Sequence, residues 1–284
     1  GLGDQDLTVN AILDSSSDVR QVISSGGALT VNLNGDPERV SLSEKSDNDF
    51  DFQATTDKDV TINVGQYVSA SGTYILSNVT GSVTVNVDPT STFGGHIYAN
   101  AASSISVMGR GSIDATISGA QAQTINIDVG EYPDGMGPRE NTVGIGAPSA
   151  KTLNVSSKGD IHFNDIDWFG GHGGLSGIEN LSVNIVDGLA IFNPRVGFEN
   201  MQTLSISGEG NFAGARFGSI GGNGNTIQIN MDGLIGGFSA SQVTNDYGNV
   251  EITAGDMVEG LRSHEMNITK ISAQAVSLTV GEGT

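Results

Sequence analysis

Asp47, Asp49 and Asp51 alternate along the chain, so an extended backbone would bring three carboxylates to one side. Hard oxygen donors grouped in this way suit Ca2+, which takes about six to eight oxygens and tolerates irregular geometry. Asp165 and Asp167 form a second group of equal parity, and Asp57 with Asp59 a third. None of these is an EF-hand. Counting from Asp47, Phe52 stands where the loop needs Gly and Lys58 where it needs a bidentate Glu. The candidate metal ligands are therefore Asp47, Asp49, Asp51, Asp165 and Asp167, with Ca2+ as the expected ion. The alternative at each is a solvated acidic turn.

A catalytic reading gains less support. His162, Asp165, Asp167, His172 and Arg195 fall within 34 residues, beside the only Trp, Trp168. Paired carboxylates could act as acid and base on a glycosidic bond. No spacing here is diagnostic, and Asp165 and Asp167 follow Ile161 and Phe163 in parity, as expected where a buried face runs out into a turn. No phosphate loop, dinucleotide fingerprint, zinc helix or nucleophile elbow occurs. No catalytic residue and no organic cofactor is assigned, and the chain is not read as an enzyme. Gly221-Gly222-Asn223-Gly224-Asn225 approaches a calcium-binding nonapeptide but lacks its Asp, so it reads first as a tight turn before a strand.

The elements that must carry these groups are written in a recurring pattern. Leu29-Thr30-Val31-Asn32-Leu33, Val60-Thr61-Ile62-Asn63-Val64 and Val83-Thr84-Val85-Asn86-Val87 alternate strictly, as half-buried strands do. Looser copies centre on Val107, Ile125, Leu153, Val183, Ile206, Ile227, Val250 and Leu278. The steps between centres run from 18 to 31 residues. A β-sandwich repeats its strands about every 8–12 residues. Wider steps, each holding one strong strand, weaker ones and Gly/Asn/Asp turns, predict stacked coils. The expected fold is all-β, a parallel β-helix-like solenoid of roughly ten irregular coils with few short helices. Stacking would align Thr30, Thr61 and Thr84 in one outward ladder and Asn32, Asn63 and Asn86 in another, with amides bonded along the axis.

Helix signals are short. Residues 17–23 offer a turn or two with Ser17 as N-cap, and residues 255–266 another. Residues 1–27 read as an N-terminal connecting segment, and 28–284 as the solenoid, with a Pro/Gly-rich loop near 130–149. The chain starts Gly1-Leu2-Gly3 without Met, and both ends read as cut from a longer or processed polypeptide.

Charge narrows the partners. Twelve Lys and Arg against 32 Asp and Glu leave a net charge of −20 across 284 residues. Phosphate backbones and anionic headgroups would be repelled, so nucleic acid is not an expected partner. No apolar run approaches the roughly 20 residues of a spanning helix. Without Cys there is neither disulfide nor thiolate chemistry. Four Asn-X-Ser/Thr sequons occur, at Asn78, Asn154, Asn180 and Asn267.

Residues 202–212 (QTLSISGEGNF) and 119–126 (GAQAQTIN) resemble the β-strand-repeat regions of bacterial surface-layer proteins and of large repeats-in-toxin-like adhesins exported by type I secretion. The style extends from about residue 28 onward. The resemblance implies a calcium-bound β-solenoid at the cell surface, extracellular and secreted, that self-associates into a sheet or fibre. The expected function is a structural one: a segment of a surface-layer subunit held by divalent cations bridging acidic turns. A polysaccharide-binding or polysaccharide-cleaving β-helix and an adhesin stalk are the alternatives, with cell-surface polysaccharide as the further partner.

Overall fold

The computed structural model describes residues 4–13, 19–35, 46–130, 141–164, 174–193, 197–209, 213–234, 237–255 and 266–280. The chain divides into two compact units, Gly1–Ala147 and Pro148–Thr284. The first holds β1 (Leu7–Leu13), β2 (Val19–Ser24), β3 (Leu29–Gly35), β4 (Ser46–Thr55), β5 (Val60–Val64), β6 (Val68–Ser71), β7 (Thr73–Ile75), β8 (Ser82–Val87), β9 (Thr92–Tyr98), β10 (Ser104–Met108), β11 (Ser112–Ser118), β12 (Thr124–Val129) and β13 (Asn141–Gly146). The second holds β14 (Thr152–Ser157), β15 (Ile161–Asn164), β16 (Asn180–Ile185), β17 (Leu189–Phe192), β18 (Gly197–Phe198), β19 (Thr203–Gly208), β20 (Gly214–Gly221), β21 (Ile227–Asp232), β22 (Gly237–Ala254), β23 (Met266–Ile268) and β24 (Ile271–Val280). Among the described residues there is no helix, and so none long and apolar enough to cross a membrane.

Each unit is a β-solenoid whose coils contribute one strand to each of two faces. In the first unit one face runs β1, β3, β5, β8, β10, β12, every pair parallel and in register. The other runs β2, β4, then β6 with β7, β9, β11 and β13. In the second unit β14, β16, β19, β21 and the latter halves of β22 and β24 form the first face. Opposite them stand β15, then β17 with β18, β20, the first half of β22, and β23. The loop of sequence expected near 130–149 contains β13, and its residues 131–140 lie outside the described residues.

In-register parallel stacking puts like residues over like, about 4.8 Å apart. Inward rows are therefore continuous: Leu29, Val60, Val83 and Ile105 align, as do Val31, Ile62, Val85 and Val107. All eight are at most 1% exposed. The second unit adds an aromatic row. Phe163 stacks on Phe192 at 4.5 Å between centroids, Phe192 on Phe217 at 4.6 Å, and Phe198 closes edge-on against Phe192 at 5.6 Å.

Two local expectations are corrected. The stretch read as a helical turn, 17–23, contributes β2, which pairs with β4. A helix so short lacks the length to offset its nucleation cost, whereas a ladder satisfies the same backbone groups at once. Asp47 to Asp51, grouped in sequence with acidic turns, lie within strand β4 instead. Phe52 and Ala54 of that strand are buried, which anchors the segment in the extended state. The candidate helix in 255–266 falls, apart from its ends, outside the described residues.

Candidate functional site: carboxylate caps and outward ladders

The outward ladders form as the spacing predicts. Thr8, Thr30, Thr61 and Thr84 share one row, and Asn10, Asn32, Asn63 and Asn86 the next. Each Asn amide donates to the carbonyl of the Asn one coil earlier: Asn32 to Asn10 at 2.7 Å, Asn63 to Asn32 at 2.7 Å and Asn86 to Asn63 at 2.8 Å. These links join coils 22, 31 and 23 residues apart in sequence. The row ends at the next coil, where Met108 takes the Asn position and is exposed.

A second device went unrecognised in the sequence. An Asp directly before a strand accepts the backbone N–H of a residue at, or just before, the start of the equivalent strand one coil on. Asp59 Oδ1, before β5, accepts the Ser82 amide at 2.7 Å and its hydroxyl at 2.9 Å. Asp6 Oδ1, before β1, accepts Ala28 N–H at 2.9 Å, and Asp160 Oδ1, before β15, accepts Leu189 N–H at 2.7 Å. The residue preceding each capped amide is Gly81, Gly27 or Gly188. A Cβ there would collide with the carboxylate, at 2.6 Å for Gly27 and Gly188 and closer still for Gly81. The readable signal was Asp before an apolar strand, followed 21 to 28 residues later by Gly before the next.

Buried polar side chains hold the corners. Ser91 donates to Gly65 O at 2.6 Å and accepts Val68 N–H at 2.9 Å. Asn141 accepts Ile113 N–H at 2.9 Å and donates to Gly130 O at 3.0 Å. Asn245, fully buried at the bend of β22, donates to Asn225 O and to Asn249 O and accepts Gly224 N–H at 3.1 Å. The Gly221–Asn225 run is thus a turn stitched to the neighbouring coil, as each buried polar group requires.

Of the expected ligands, the backbone sets Asp47 beside Ser69 and Asp49 beside Ser71 on β6. Asp51 Oδ1 accepts Thr73 N–H at 3.0 Å. Asp165 and Asp167, together with Trp168 and His172, lie outside the described residues, as does Arg195. Asp57 is well exposed and sits 3.5 Å from Lys58, while its partner in sequence, Asp59, is the cap described above. Among the described residues no three His, Asp or Glu side chains converge as a metal site. Residues 59–109, which carry no Lys or Arg, hold only two acids, Asp59 and Asp88. Asp88 Oδ1 accepts the Thr90 amide and hydroxyl at 2.9 and 2.6 Å. That stretch is nearly uncharged, and its acids close turns.

No family model matches the chain, and comparison with curated proteins and with solved structures gives no match.

Proposed function

We propose that this protein is a structural component of an extracellular assembly at the cell surface, a segment of a surface-layer-type lattice that associates with further copies of itself. The observation that carries the reading is the use made of outward polar side chains. Asn amides and Asp carboxylates, the groups from which a binding site would be drawn, bond coil to coil along the stack. Such bonding yields a body stiffened along its stacking direction, which suits a load-bearing element.

Divalent cations hold the assembled state in this proposal. With −20 of net charge, apposed copies repel, and monovalent salt screens only beyond a Debye length of about 8 Å. Ca2+ shared by carboxylates at Asp47, Asp49 and Asp51 on β4, or at Asp165 and Asp167, would turn that repulsion into a link. The test is chelation at constant ionic strength, read by sedimentation and by melting, with Ca2+ and then Mg2+ restored. Dissociation or a lower Tm is expected, reversed better by Ca2+. Unchanged sedimentation and melting would remove the cation from the account.

A second reading, polysaccharide binding, is favoured by one feature of the second unit. A shallow groove there presents mostly apolar surface, with Ile206 and Met231 in its lining, and carries at Ser205, Ser207, Asn230 and Asp232 a few polar groups to which a sugar ring lying on it could hydrogen-bond.

A further inference from the structure

One corner of the second unit carries more chain than the corners on either side of it. Its four successive coils are bounded by in-register residues on the two faces: Phe198, Ile220, Val243 and Ile271 before the corner, and Thr203, Gln228, Glu251 and Ser277 after it. The intervals are residues 199–202, 221–227, 244–250 and 272–276, which hold four, seven, seven and five residues. The two middle corners therefore bulge outward together as a ledge. A coil with a shorter corner lies on each side of them, so the ledge stands out because of its own length.

The ledge is tied down from within. Asn245, fully buried, bonds to the Asn225 and Asn249 carbonyls and to the Gly224 amide. A Cβ at Gly248 would strike the Gly224 and Asn225 carbonyl oxygens, so the two corners meet backbone to backbone. The pairing of β22 with β24 shifts register between Asn245 and Asn249, and a bulge of this kind re-aims the side chain that it displaces. Here that side chain is Tyr247. It is 82% exposed, the most of any large hydrophobic side chain among the described residues, whereas the aromatic row of the same unit is buried. Asn223, Asn225 and Asp246 are exposed on the same ledge. The Asn225 amide donates to the Asn223 side-chain carbonyl at 3.0 Å, and Asp246 Oδ1 accepts the Ser272 hydroxyl at 2.7 Å.

We propose that this ledge binds a neutral glycan, with one sugar ring lying on Tyr247 and its hydroxyls bonded at Asn223, Asn225 and Asp246. A tyrosine ring offers an apolar, electron-rich face to the C–H groups of a sugar, and a few placed polar groups around an aromatic fix orientation. Residues 221–227 and 244–250 hold no Lys or Arg and a single carboxylate, Asp246. On a chain of net charge −20 that setting repels uronic, sulfated and phosphorylated polymers. A stable protein partner needs about 800 Å2 on each side, more than four exposed side chains supply, whereas one or two sugar rings fit them. The buried Asn245 acts as a positioning residue, since a corner fixed beforehand loses less freedom on binding. The inference adds a second place of contact to the polysaccharide reading above and rests on that reading, not on the lattice.

The test is titration, followed by NMR, with hexasaccharides of β-linked glucose, α-linked glucose and N-acetylglucosamine. At least one should shift the Tyr247 ring signals on binding. Tyr247→Ala should weaken that binding about tenfold or more, as loss of an aromatic anchor does, while circular dichroism and Tm stay unchanged because the ring is exposed. Tyr247→Phe keeps the ring face and should bind like the parent protein. Asn230→Ala alters the groove and leaves the ledge intact. Binding lost with Tyr247→Ala and kept with Asn230→Ala supports the ledge and removes the groove. Binding kept with Tyr247→Ala and lost with Asn230→Ala supports the groove and overturns the ledge. No binding of any of the three sugars overturns both.

Discussion

At Asp59 one carboxylate oxygen receives two donors from Ser82, and Gly81 must lack a side chain for it to do so. The two positions are therefore energetically coupled although 22 residues separate them in sequence. Asp59→Ala should cost about 1 kcal/mol, the usual net value of a partly solvated hydrogen bond. Gly81→Ala should cost about 2 kcal/mol, since the new methyl meets both the carboxylate and the backbone of Lys58. In the double variant part of that clash is gone, so urea melts should show the two costs summing to less than additive, by about 0.5–1 kcal/mol. Strict additivity would mean that the carboxylate does not occupy the space above Gly81. These caps went unread, because an Asp before a strand looks the same whether it faces water or the amide one coil away until it is paired with the Gly 21 to 28 residues on. The Asn row was legible, because three copies of one five-residue pattern fix both its face and its neighbours.

Among the elements, face and register differ in how well the sequence determines them. Alternation settles which side chains point inward, and every strand centre read from the pattern except Leu278 is buried. Register along the strand is less constrained. Val107 lies over Ile127 rather than Ile125, and Val183 over Val155 rather than Leu153. A slip of two residues keeps the same face and exchanges one aliphatic for another, so nothing in the pattern opposes it. The second face was harder to read. Some of its strands, such as TFGGHIY of β9, mix glycine, polar and aromatic residues without strict alternation. Their inward positions are set by stacking on the coil below. The aromatic row of the second unit illustrates what that stacking contributes. Phe192 touches Phe163, Phe198 and Phe217, so Phe192→Ala opens a cavity shared by three coils. A loss of about 3–5 kcal/mol is expected. A loss under about 1 kcal/mol, measured by denaturant melts, would mean that the row is not packed as described.

For the whole molecule, acidity and assembly must be reconciled. Some of the 32 acids serve the fold itself, as the caps at Asp6, Asp59 and Asp160 do, and the remainder keep the surface strongly negative. A surface of that kind discourages contact everywhere except where charge is absent or bridged. The proposed assembly uses the second exception, carboxylates able to share a divalent ion. The central claim is that copies build an ordered structure, and electron microscopy with diffraction from concentrated protein in Ca2+ tests it most directly. Ordered sheets or fibres carrying a reflection near 4.8 Å, the spacing of stacked strands, are the expected result. Isolated particles at every concentration, with or without Ca2+, would contradict it.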